Sequence, residues 1–276
     1  MSEDQRNKEV ILATRADDKS YEACIKELEK RFIKSNSKIS KIYIVCNLNK
    51  IDFDIGGIPV AVIFDNDPIR PCAFNKVIER LNDDKETQHH LLTFSKEVEL
   101  KNENIERMAE LIDDKTIVVG YCFKDNILDD QEAKLYSIKD LQYSKAGIAY
   151  QVPWNTCALW NKKFIYGTKE EKLQFDEICE NNQFGEFSVK VDGTFTNTKY
   201  KGMEDGLAIA ELLANNSTQD FKYKLIKEEL RWNIIGDEKR KKDHKVKMAR
   251  KNIVLSNFMN IKGYSISQLK KSAEFI

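Results

Sequence analysis

Short apolar runs and longer stretches of helical periodicity alternate through the first half of the chain. Glu9 to Thr14 is a nearly continuous apolar run, the pattern of a buried strand. Asp18 and Ser20 then offer caps for a helix from about Tyr21 to Lys34, with Ala23, Ile25, Leu28 and Phe32 along its stripe. Lys41 to Cys46 and Ile58 to Phe64 read as a second and a third strand. Pro71 opens a helix with Phe74, Val77, Ile78 and Leu81 on one face. His90 to Phe94 is a fourth strand, followed by a helix near Asn104 to Ile112 and a fifth strand from Thr116 to Phe123. Strands separated by helices at this spacing predict right-handed crossovers and a largely parallel sheet flanked by helices, an α/β fold.

After Lys124 the rhythm changes. Asp125 to Ala146 is polar and ambiguous, and Ala149 to Phe164 is apolar and aromatic. Gly202 to Leu213 opens a helix with Glu204 and Asp205 in its first turn. Glu238 to Arg250 is a dense basic run leading into an amphipathic helix that ends near Asn260. No repeat, linker or composition shift cuts off a second domain, so a single domain is expected.

Composition narrows the function classes. Among 276 residues, 45 Lys+Arg balance 45 Asp+Glu, which removes the bulk electrostatic case for nucleic acid or a membrane surface. The chain is 41% hydrophobic with only 11 Gly and 4 Pro, enough for a full core and too few for collagen-like or linker architectures. Its apolar runs fall far short of the roughly 18 residues of a membrane span, and the polar N-terminus offers no secretory apolar region. Six scattered cysteines without a C-x-x-C read as reduced thiols of a cytoplasmic protein rather than a zinc site.

In a parallel α/β sheet, ligands bind beyond the carboxyl ends of the strands. The residues there are Thr14, Arg15, Asp17 and Asp18, then Asn47 and Asn49, then Asp65 to Asp67, then Ser95 to Glu99. Such groups suit a base and a ribose, although polar loops follow most strands. Gly202-Met-Glu-Asp-Gly206 is more specific. A carboxylate in the first turn of a helix is favoured in its ionised form by the macrodipole, and facing a cleft it can act as a general base. An ordinary acidic first turn has the same sequence.

The order of these features resembles the family 2 glycosyltransferases and their relatives with the GT-A fold, over roughly Val10 to Trp232. The matching segments are the leading strands, Pro71-Cys-Ala-Phe-Asn75, the strand running into Leu91-Leu-Thr-Phe-Ser-Lys-Glu97, the apolar stretch Val152 to Trp160, and the pair Glu204-Asp205. Glu228 to Trp232 is a partial echo of a Gln-x-x-Arg-Trp motif. The resemblance implies a GT-A-like, Rossmann-like mixed sheet, with residues 1–235 as the glycosyltransferase domain. Residues 236–276 would be a basic helical segment packing on or closing over the donor site.

It further implies a nucleoside-diphosphate sugar as donor, contacted by Thr14, Arg15, Asp17, Asn47, Asp65, Asn75 and Lys96. Asp205 or Glu204 would be the base on an acceptor hydroxyl, and Trp154 and Asn155 would contact the sugar or acceptor. The metal motif departs from the family pattern: Ser95 and Lys96 stand where its first positions fall, leaving Glu97 in the place of the last carboxylate. Mn²⁺ or Mg²⁺ would then be held by Glu97 with phosphates and water, and with His244 from the basic segment. Lys96 offers the alternative of offsetting phosphate charge directly. The rival function is a non-catalytic GT-A-fold module that binds a nucleotide or glycan. A nucleotidyltransferase fits less well, because no Gly-rich phosphate loop follows the first strand.

Overall fold

The computed structural model describes residues 10–32, 38–68, 72–83, 89–121, 152–168, 172–175, 186–191, 194–199, 204–228, 230, 255, 259 and 262–276. The first apolar run becomes β1 (Val10–Ala16), buried throughout except at Arg15. It extends to Ala16, so Thr14 and Arg15 lie inside the strand rather than beyond it. Helix α1 (Tyr21–Phe32) buries Tyr21, Cys24, Leu28 and Phe32, which share one face at helical spacing. Its stripe is therefore offset from the expected one, and Ala23 is exposed. β2 (Ile39–Cys46) pairs parallel with β1.

A short strand that the apolar pattern does not announce, β3 (Phe53–Ile55), forms a hairpin with β4 (Ile58–Phe64). The two-residue turn needs positive φ at both positions, and Gly56 and Gly57 adopt 59° and 86°. β4 returns parallel to β2. Helix α2 (Ala73–Asp83) follows, burying Ala73, Phe74, Val77, Ile78 and Leu81, and leads to β5 (His90–Phe94), parallel to β1 on its other side. α3 (Asn102–Glu110) connects to β6 (Thr116–Tyr121).

β7 (Cys157–Trp160) runs antiparallel between β5 and β6 and is wholly buried. α4 (Lys162–Ile165) is a single turn, and β8 (Glu186–Val191) with β9 (Thr194–Lys199) forms a separate two-stranded ribbon. α5 (Glu204–Asn215) precedes β10 (Lys222–Ile226), which joins the sheet parallel to β6. α6 (Ile266–Lys271) packs on α5 and delivers β11 (Ala273–Phe275), a terminal strand parallel to β10 that the sequence reading does not foresee.

The result is a mixed, mostly parallel sheet of nine strands in the order β11-β10-β6-β7-β5-β1-β2-β4-β3, flanked by helices. Successive strand residues point to opposite faces. Thr14 bonds to Cys24 of α1, while the Arg15 guanidinium lies over Phe74 of α2, so these two helices cover opposite faces. Among the described residues, no helix is long and apolar enough to cross a membrane.

Candidate functional site

Parallel pairing brings the carboxyl ends of β1, β2, β4, β5, β6, β10 and β11 to one edge of the sheet. β7 is antiparallel, so its amino end, preceded by Trp154 and Asn155, comes to that same edge. Segments that are distant in sequence thus share one rim.

Beyond β1, Asp17 closes the start of α1. Its Oδ1 accepts the Ser20 N–H at 2.8 Å, and its own N–H donates to Ser20 Oγ at 3.0 Å. Hydrogen bonding to Ser20, helped by the nearby Lys96 and outweighing partial burial, holds its carboxyl below the usual carboxylate range. Thr14 is buried beneath this turn at 1% exposure. Beyond β2, Asn47 is half-buried, and its Oδ1 is enclosed with no hydrogen-bond partner among the described residues. Beyond β4, Asp65 holds Lys76 of α2 at 2.9 Å and accepts the Asp67 N–H at 2.8 Å.

The loop after β5 carries Lys96 and Glu97, and it is pinned from two sides. Ser95 N–H donates to the Thr156 carbonyl at 2.9 Å, and Val98 N–H closes a turn onto the Ser95 carbonyl at 3.0 Å. From α1, Arg31 donates to the carbonyls of Lys96, at 3.0 Å, and of Val98. The same guanidinium bonds Glu27 at 3.0 Å and lies over the Phe94 ring. Ser95 Oγ approaches Glu97 Oε2 at 3.4 Å.

At the amino end of β7, Trp154, expected to contact sugar or acceptor, is 3% exposed and belongs to the buried core. Asn155, 4% exposed, belongs to a buried polar network on Thr93. Trp160 Nε1–H donates to Thr93 Oγ1 at 3.2 Å, and Asn155 Oδ1 and the Ala158 carbonyl each lie 3.2 Å from that hydroxyl. Asn155 Nδ2 is enclosed with no partner among the described residues.

The start of α5 is brought against this segment by a glycine. A Cβ on Gly206 would lie 3.4 Å from Val152 and 2.7 Å from Leu255, so the helix approaches both closely. Asp205 is buried at 3% exposure beside it. Of Glu204 only the backbone, at the first helical position, is described. His244 lies outside the described residues.

Two expected contacts are engaged elsewhere. Asn75 Nδ2 donates to the Phe175 carbonyl at 2.7 Å and its Oδ1 accepts the Phe175 N–H at 2.8 Å, so the amide clamps two backbone segments together. The Arg15 guanidinium is held over Phe74, 4.7 Å from the ring centre. Two of the cysteines, Cys24 and Cys157, are unsuited to act as nucleophiles. Burial pushes the Cys24 thiol up to about 11 and the Cys157 thiol up to about 12, which keeps them protonated and unreactive.

For a divalent cation, the donor set is poor. Mn²⁺ and Mg²⁺ need several hard oxygen ligands, usually with more than one carboxylate. The pinned turn from Ser95 to Val98 offers one carboxylate with a lysine beside it, and no three His, Cys, Asp or Glu side chains gather among the described residues. The described residues therefore do not assemble a cation site.

Arg31 is the residue that sequence reasoning misses. It looks like an ordinary last-turn arginine paired with Glu27 four residues earlier, and nothing in the sequence points from it to Lys96 and Val98. What the rim can do chemically follows from its groups: an ammonium on a fixed loop, amides and carboxylates at neighbouring strand ends, and an acid pair opening a helix nearby. Comparison of the chain with protein-family models and with curated proteins gave no match.

Proposed function

We propose that the chain is a cytoplasmic glycosyltransferase with a GT-A-like fold, transferring a sugar from a nucleoside-diphosphate donor to an acceptor hydroxyl. One observation carries the reading: the strand-end groups Asp17, Asn47, Asp65 and Lys96 share one rim with Asn155 and with the Val152 segment that receives the start of α5. Ligands of open α/β sheets bind in the crevice beyond such ends. The mixed, mostly parallel sheet suits the same reading, and the buried thiols of Cys24, Cys46 and Cys157 suit a reducing compartment.

In this proposal the base and ribose lie over the exits of β1, β2 and β4, and the diphosphate faces the loop after β5. Asp205 removes the proton from the acceptor hydroxyl. The acceptor oxygen forms its bond to the anomeric carbon as the bond from that carbon to the diphosphate oxygen breaks, and the nucleoside diphosphate leaves. The basic run from Glu238 to Arg250 would neutralise charge on the departing group.

The test is a thermal-shift screen of UDP-, GDP-, CDP- and dTDP-sugars, followed by transfer assays with the donor that binds, because a ligand of the native state raises its apparent stability. A donor that binds and is never transferred to any acceptor would instead support a non-catalytic module. No shift with any donor would overturn the nucleotide-sugar reading itself.

A further inference from the structure

Around the turn after β5, two cations are used in opposite ways. Arg31 has every nitrogen of its guanidinium engaged: Nε on Glu27, and the two terminal nitrogens on the carbonyls of Val98 and Lys96. Its side chain is 15% exposed, and the Phe94 ring lies against its face. Lys96, half-buried in the turn that Arg31 holds, has an ammonium that makes no hydrogen bond or ion pair among the described residues. Its field nevertheless reaches Asp17 beyond β1 and the Cys24 thiol. Because β5 pairs parallel with β1, the turn that carries Lys96 lies beside the exit of β1, at the rim where an anionic ligand would lie.

Fixing this turn has a physical consequence. A lysine on a mobile loop loses much of its attraction for an anion to the entropy of ordering the loop. Here the Ser95 N–H bond to Thr156, the turn bond from Val98 to Ser95 and the Arg31 clamp have already ordered the backbone. An ammonium is a compact donor of three hydrogen bonds that suits a phosphate oxygen, and it works without the several oxygen ligands that a divalent cation requires. The single carboxylate of the turn, Glu97, is held close to Ser95 Oγ rather than grouped with other acids.

We propose that the donor's diphosphate is held by the Lys96 ammonium on the turn clamped by Arg31, with no divalent cation. The inference rests on the nucleotide-sugar reading of this rim. Lys96 is the contact residue and Arg31 the positioning residue. Arg31 acts only through Lys96, so its loss has no effect of its own on affinity once Lys96 is gone.

The experiment titrates UDP, GDP, CDP and dTDP into the full chain by calorimetry, in EDTA and in Mn²⁺, with folding of each variant checked by circular dichroism. At least one diphosphate should bind in EDTA, with an affinity that Mn²⁺ leaves nearly unchanged and that falls as salt screens the charge. Lys96→Ala should weaken it roughly 10- to 100-fold, the scale of a lost charge-assisted hydrogen bond, and Lys96→Arg should restore much of it. Arg31→Ala should weaken binding in the wild-type background and change nothing further in Lys96→Ala. Arg31→Lys, which keeps the charge but reaches one carbonyl, should fall between and serves if Arg31→Ala fails to fold. Binding that requires Mn²⁺, or that survives Lys96→Ala intact, overturns the inference and leaves the nucleotide-sugar reading standing. Additive losses in the double variant overturn the positioning role of Arg31. Absence of binding in both EDTA and Mn²⁺ overturns the reading of the rim together with the inference.

Discussion

Gly120 of β6 and Pro153, on the segment that leads into β7, pack so closely that a Cβ on Gly120 would lie 2.7 Å from the Cβ of Pro153. The Cys157 carbonyl would be 3.2 Å away. This contact seats the Val152 to Thr156 segment against the sheet, and that segment in turn meets the start of α5 and the turn after β5.

Neither the proline ring nor a strand carbonyl yields cheaply, so Gly120→Ala should destabilise the fold by roughly 1–3 kcal/mol, the scale of overpacking in a tight core. Gly206→Ala makes a useful contrast. Its clash is with the ends of the flexible Leu255 side chain, and alanine regains about 0.8–1 kcal/mol of helix propensity. Urea denaturation should show a clear drop in midpoint for the first variant and a small change for the second. A reversed order would show that the Pro153 contact is softer than its geometry implies.

The acid pair at the start of α5 separates enzyme from binding module. Successive helical residues point about 100° apart, so Glu204 and Asp205 cannot perform the same task. Asp205→Asn should leave donor affinity intact and lower transfer roughly 10²–10⁴-fold, while Glu204→Gln retains most activity. Equal activity of the two variants with a true acceptor would refute a base at this pair.

Asn75 and its clamp on Phe175 give a third outcome. Asn75→Ala leaves a backbone N–H and a carbonyl without partners, which should cost about 1–3 kcal/mol for each group that stays buried. Thermal unfolding should shift downward, with donor affinity measured well below the transition unchanged. A large affinity loss in a variant that is still folded would return Asn75 to the donor contacts.

His90 gives a pH dependence. Burial, with Lys162 and His89 adding to it, pushes its imidazole down to about 4 from 6.5, and its Nδ1 accepts the Lys162 N–H at 3.1 Å. Between those values the unfolded chain binds a proton that the native state refuses, so stability is fully present above pH 6.5 and is lost as pH falls towards 4. The loss should reach roughly 3 kcal/mol, at about 1.4 kcal/mol per pH unit. His90→Asn, which keeps an acceptor for Lys162 and cannot titrate, should flatten the stability profile across this window. Parallel profiles for the two proteins would show that His90 does not carry the dependence.

The sequence by itself determined the alternation of strands and helices through Tyr121 and the largely parallel sheet. Runs such as Ile42 to Cys46 and Leu91 to Phe94 read as strands, because a strand covered on both faces is a short, nearly continuous apolar run, and Thr93 is carried inside it by its hydrogen bonds. It also determined that the polar residues after those strands would gather, since parallel strands end at one edge. Local patterns did not determine what depends on meetings across long stretches of chain. The antiparallel insertion of β7, the terminal strand β11 and the hold of Arg31 on a turn some 65 residues away each exist only once the sheet is assembled. Likewise, Asn75 and Trp154 have side chains suited to a ligand, and only packing decided that one clamps Phe175 and the other fills the core. A side chain's chemistry is written in the sequence, whereas its partner is set by which surfaces folding brings within hydrogen-bond reach.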